Sequence, residues 1–106
     1  MTDDINKQAI NAIEDLKGQD VVTLDVTGLS DVMDTMIIAS GNSARHVKAI
    51  AGNVVEELKQ DGIRPIGVEG LESADWVLVD LGATVVHVML EQTRAFYELE
   101  KLWAAK

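Results

Sequence analysis

The 106-residue chain contains no cysteine. That excludes disulfides, thiolate metal sites and a thiol nucleophile together, and it makes a disulfide-stapled secreted fold untenable. A single proline, Pro65, leaves no Pro-rich linker. Neither repeats nor low-complexity tracts break the chain, so one domain spanning 1–106 is expected. Bases are scarce: nine Lys and Arg face eighteen Asp and Glu, a net charge of -9. Aromatics are scarce too, and no basic run interleaves Trp76, Phe96, Tyr97 and Trp103. Binding along a phosphate backbone relies on Lys and Arg to release counterions and on aromatics to stack bases, so that function class is disfavoured. Long apolar runs are missing as well. Met36–Ala39 and Val85–Leu90 are too short or interrupted to span a bilayer, and residues 1–18 carry acids where a secretory signal needs bases. A soluble, cytoplasmic protein with no membrane partner is expected.

What the chain does have is 47% hydrophobic residues, enough for a modest core, and an acidity concentrated at its start. Residues 1–40 hold eight acids and two bases, whereas residues 41–70 hold four of each. Such a surface suits a basic protein patch.

The periodicities predict the order α-β-β-α-β-β-β-α, an α/β single domain of flanking helices on a mixed sheet. The first helix places Ile5, Ala9, Ala12, Ile13 and Leu16 on one face, with Asp3 and Asp4 in its first turn and Lys17–Gly18 as its stop. Asp20–Val26 alternates as a half-buried strand, with Val22, Leu24 and Val26 on its apolar side. The apolar run Thr35–Ser40 reads as a strand buried on both faces. Ser43 then caps a helix whose stripe is Val47, Ile50, Ala51, Val54 and Leu58, and Gly62 stops it. Gly52 within that helix costs about 1 kcal/mol relative to Ala, which suggests a close packing contact there. Ile66–Glu69 is extended, Gly70–Asp75 a loop, and Glu91–Trp103 a last helix with Ala95, Phe96, Leu99, Leu102 and Trp103 inward.

Between them lies the most informative stretch. Trp76–Leu81 and Thr84–Leu90 are joined by Gly82–Ala83, a connection with Gly first as a type II′ turn requires. Closing that turn pairs Leu81 with Thr84, Asp80 with Val85, Leu78 with His87 and Trp76 with Met89. One face then holds Val77, Val79, Leu81, Val86 and Val88 and must be core. The other holds Trp76, Leu78, Asp80, Val85, His87 and Met89, with Asp80 and His87 as diagonal neighbours. Such a face is either a binding surface around an aromatic or a second core with one satisfied polar pair. Arg94, Tyr97 and Lys101 line one side of the last helix and extend that surface, or form a solvated face.

Catalytic and metal patterns are weak. An Asp80–His87 pair could orient a base, but Ser30, Ser40, Ser43 and Ser73 fall in no nucleophile elbow. His46 and His87 sit on different elements with no metal-ligand spacing, and His46 reads as a solvated surface residue. Gly41–Asn42–Ser43 lacks the glycine and lysine spacing of a phosphate loop, so ordinary capping explains it. No catalytic residue, metal or cofactor is expected.

The stretches GLSDVMDTMIIASGNSARHVKAIAGNVVEELK, Val68–Glu69–Gly70 and ADWVLVDLGATVVHVMLEQTRAFYELEKLW together resemble the bacterial and organellar ribosomal silencing factor, or Iojap, family. The resemblance runs from about Ile5 to Trp103. It implies a nucleotidyltransferase-like fold and a non-enzymatic role. The implied partner is the large ribosomal subunit, bound through its ribosomal protein number fourteen with little direct RNA contact. Subunit joining would be blocked and translation repressed when nutrients are scarce. It also implies homodimers. The partner-facing residues implied are Trp76, Asp80, His87, Arg94 and Tyr97, to which the hairpin face adds Leu78 and Met89. Nucleotidyltransferases carry paired carboxylates on a strand, and no such pair stands here, since Asp75 and Asp80 are five apart. A drifted nucleotide-binding enzyme and a homo-oligomerisation module are the rival readings.

Overall fold

The computed structural model describes residues 2–28, 31, 33–98 and 101. Its elements follow the order expected: α1 (Thr2–Asp15), β1 (Gln19–Asp25), β2 (Thr35–Gly41), α2 (Ala44–Gln60), β3 (Gly67–Glu69), β4 (Trp76–Asp80), β5 (Thr84–Leu90) and α3 (Glu91–Tyr97). The strands form one five-stranded mixed sheet in the order β1-β2-β5-β4-β3. Only β2 and β5 run parallel, with α2 in the crossover between them. The other three pairs are antiparallel.

The helices α1 and α2 cover one face of this sheet. Their stripes, Ala9, Ala12 and Ile13 on α1 and Val47, Ile50, Ala51, Val54 and Leu58 on α2, meet Ile37, Ala39, Val77, Val79, Val86 and Val88 in the main core. Each fully buried Val, Ile or Leu contributes roughly 1.5–3 kcal/mol, so this layer carries most of the fold's stability. The smallest dimension of the molecule, 21 Å, is that of a sheet plus one helical layer. The second face has its own smaller cluster, Val26, Met36, Ile38 and Met89, with Leu24, Met33 and Trp76 partly buried against it. The apolar side of β1 therefore points away from the helices at Leu24 and Val26. Val21, of opposite parity, reaches the main core on the other face, next to a bulge between Gln19 and Val22 where Asp20 sits at φ 50°.

Helix ends follow local chemistry. Ser43 caps α2, its hydroxyl accepting from the His46 N–H at 3.1 Å. At the far end Gly62 donates to the Lys59 carbonyl and Ile63 to that of Leu58, a Schellman closure. Three expectations are corrected. Gly52 is exposed and a Cβ there would meet nothing within 4 Å, so no packing contact requires it. His46 is not simply solvated: Nδ1 accepts from the Asn42 N–H at 2.9 Å and Nε2 lies 2.7 Å from the Leu16 carbonyl, tying the end of α1 to the start of α2.

The third correction is the last helix. It stops at Tyr97, where Glu98 turns left-handed (φ 48°) and donates to the Arg94 carbonyl at 2.8 Å. Ala95 is exposed, and Phe96 is 79% exposed rather than inward. The inward residue is Arg94, whose guanidinium reaches under the helix to Ser40 Oγ at 2.8 Å. Leu99, Leu102, Trp103 and Ser30 lie outside the described residues.

Candidate functional site

The hairpin register is the one expected: Trp76 opposes Met89, Leu78 opposes His87 and Asp80 opposes Val85. Its turn has Gly82 at φ 96°, the sign the first position of a type II′ turn needs. The Asp80 carboxylate accepts from the Gly82 N–H at 2.9 Å, so Asp80 serves the turn. The anticipated Asp80–His87 pair does not form. His87 instead pairs along the other diagonal, its Nδ1 accepting from the Trp76 indole N–H at 3.0 Å.

Trp76 is fixed from several sides. The preceding loop closes with an Ala74 N–H to Gly70 carbonyl bond of 2.9 Å, and Leu90 donates to the Asp75 carbonyl across the strands at 3.0 Å. Gly70 sits at φ 89° with its α-carbon against the Trp76 carbonyl, and a Cβ there would lie 2.2 Å from that oxygen. No other residue fits this contact. Beyond Trp76 the rings form a chain. The indole and the His87 ring are 6.0 Å apart, the indole and Tyr97 5.0 Å, and Tyr97 and Phe96 5.0 Å edge to face. These spacings lie within the range of favourable aromatic pairs.

The imidazole is 5% exposed, and burial pushes its pKa down to about 4. It is therefore neutral near pH 7, as an acceptor for the indole N–H must be. Arg94, 8% exposed, and Ser40, 1% exposed, hold α3 to β2, which sets Tyr97 over Trp76. A cleft of about 470 Å³ opens on the β1 side of α3, lined by Asp20, Glu91, Arg94 and Glu98 among others. Its acids and bases are mixed, and Glu98 pairs with Lys101 at 2.9 Å.

The seven residues singled out from the sequence thus occupy different depths. Trp76, Leu78 and Asp80 are half-buried, and Tyr97 is 51% exposed. His87 and Arg94 are buried beneath them, and Met89 is fully buried as floor. Two surface neighbours join them. Phe96 extends the aromatic chain outward. Glu69 opposes Leu78 across the β3–β4 register and so shares its face. Strand alternation through Val68–Glu69 was the available signal for Glu69; nothing in the periodicity pointed Phe96 outward. Among the described residues, no group of three or more His, Asp or Glu side chains is placed to hold a metal, and no helix is long and apolar enough to cross a membrane.

Chemically, this margin of the second face offers a rigid half-exposed aromatic, an exposed phenol and phenyl ring, and two carboxylates. That composition is of the kind found at protein docking surfaces.

The family model described as ribosomal silencing factor during starvation matches residues 2–106. The chain is 48% identical over 103 residues to a ribosomal silencing factor from Chromobacterium violaceum, covering 97% of this chain and 84% of that protein. A crystal structure of a protein from the same organism superposes with a TM-score of 0.94 at 48% identity, covering 96% of this chain and 85% of the other. A mouse protein named for mitochondrial assembly of the ribosomal large subunit is 33% identical over 100 residues, covering 92% of this chain and 44% of the mouse protein.

Proposed function

Because this chain belongs to the ribosomal silencing factor family, we propose that it docks on the large ribosomal subunit through ribosomal protein number fourteen and sterically blocks joining of the small subunit. The effect is repression of translation under nutrient limitation, in the cytoplasm and without catalysis. The observation that carries this reading is Trp76: an indole held rigid by His87 and Tyr97, half-exposed, and flanked on its face by Glu69 and Asp80. A preorganised aromatic loses little entropy on burial in a partner's pocket and makes an effective anchor. The acids around it, with a net charge of -9, favour a basic protein patch and repel bare RNA, so the protein contact determines placement. The mouse relative's name refers to the large subunit, which supports that subunit as the partner.

Gradient sedimentation tests the reading. The chain, purified large subunits and small subunits are mixed at near-physiological salt and spun. Co-migration with the large subunit and fewer joined ribosomes is the expected result. A chain that stays at the top of the gradient while joining proceeds normally refutes it.

A further inference from the structure

His87 has two ring nitrogens, and among the described residues only one is used. Nδ1 accepts from Trp76 Nε1–H. A neutral imidazole that accepts at Nδ1 carries its proton on Nε2, so the hydrogen bond fixes the tautomer. Among the described residues Nε2–H finds no acceptor. Nor is it sealed off, because the one fully buried side-chain polar atom without a partner among the described residues is Gln8 Oε1. His87, only 5% exposed, thus keeps a fixed N–H donor that is not fully closed off, next to the half-exposed Trp76. Donors in such settings carry a cost unless something accepts from them.

Taking the docking face proposed above as its premise, we propose that His87 Nε2–H is a specificity-determining donor that bonds a neutral acceptor, a main-chain carbonyl or hydroxyl, on the protein partner. The charge around it selects the class of acceptor. Asp80 lies on the same face one residue pair away, Glu69 opposes Leu78 beside it, and the chain as a whole is acidic. A partner carboxylate or an RNA phosphate brought to Nε2 would meet these charges at close range, whereas a carbonyl would not. Trp76 therefore has two jobs: it fills a pocket, and through Nε1–H it sets which imidazole nitrogen faces the partner.

Two measurements on the intact chain test this. In the free protein, long-range ¹⁵N–¹H correlation spectra of labelled histidine at neutral pH should show His87 as the Nε2–H tautomer; an Nδ1–H signature overturns the proposal directly. Binding to purified large subunits is then compared for the wild type, Trp76→Ala, His87→Gln and a protein with Nε2-methylhistidine in place of His87, each checked for folding by circular dichroism. The methylated ring keeps the Trp76 bond and lacks the donor, and it should bind about tenfold more weakly; glutamine can accept from Trp76 and donate outward, and should stay within about threefold of wild type. Methylated protein binding as wild type, with Trp76→Ala weakened, overturns the donor and leaves the docking face standing. A wild type that binds no large subunit overturns the docking reading, and the donor assignment that rests on it falls too.

Discussion

Replacing His87 by glutamine should remove a specific block of pH-dependent stability. In the folded chain the imidazole is neutral, desolvated and hydrogen-bonded to Trp76, with a pKa of about 4 against an ordinary value of 6.5. Between those two values the unfolded chain binds a proton that the folded chain refuses. His87 therefore favours folding fully above its ordinary value, and the contribution is lost as pH falls through 6.5 toward 4. Applying the linkage relation between about pH 7.5 and about pH 5 gives a loss of about 2 kcal/mol from this one group. Glutamine does not titrate, so His87→Gln should lose about 2 kcal/mol less than the wild type over the same interval. Carboxylates and His46 are common to both proteins and cancel in the difference. Urea unfolding followed by far-ultraviolet circular dichroism at the two pH values measures it, and avoids indole fluorescence, which responds to the His87 ring itself. Equal losses in the two proteins would refute the buried neutral acceptor.

Three further outcomes are expected. Trp76→Ala should weaken large-subunit binding by about 2 kcal/mol or more in the sedimentation assay, as truncated anchor aromatics do, while the main core on the opposite sheet face keeps the chain folded. Gly52→Ala should stabilise the chain by about 0.5–1 kcal/mol in urea unfolding, because the position is helical and open; destabilisation would mean an unseen contact. Gly70→Ala should cost about 2 kcal/mol or more, since alanine meets both a positive φ and the Trp76 carbonyl, and Trp76 emission should shift with it.

The hairpin was legible in the sequence because its determinants are local. A two-residue turn with glycine first sets the register, and the register assigns every side chain from Trp76 to Met89 to a face. The α2 stripe was legible for the same reason: five apolar positions at helical spacing, all buried as read. Strand order was not, because the parallel β2–β5 pairing joins segments separated by all of α2, β3 and β4, and no local signal encodes it. Within the site, two diagonals meet at His87, and alternation marks Asp80 as its neighbour without revealing that Trp76 takes it. The indole is long enough to reach Nδ1, while the short Asp80 side chain is captured by the turn N–H two residues on.

The last helix departs from the rule of apolar residues inward, with a polar anchor facing the sheet instead. Arg94 reaches a buried Ser40 hydroxyl, and losing that bond would leave a buried guanidinium short of a partner, a cost comparable to what burying Phe96 would return. The rotation that buries Arg94 brings Tyr97 onto Trp76 and leaves Phe96 in solvent. Exposing a large aromatic is unfavourable for the isolated chain, and it recurs at one margin of the sheet together with Tyr97 and the edge of Trp76. Exposed Phe96 and Tyr97 beside half-buried Trp76 form a contiguous patch of the kind that marks a partner surface, whereas scattered apolar residues do not. The Arg94–Ser40 bond thus accompanies both the departure of α3 from the periodic rule and the placement of Tyr97 on the proposed docking face. Loosening that bond should disturb partner binding through Tyr97 before it disturbs the main core.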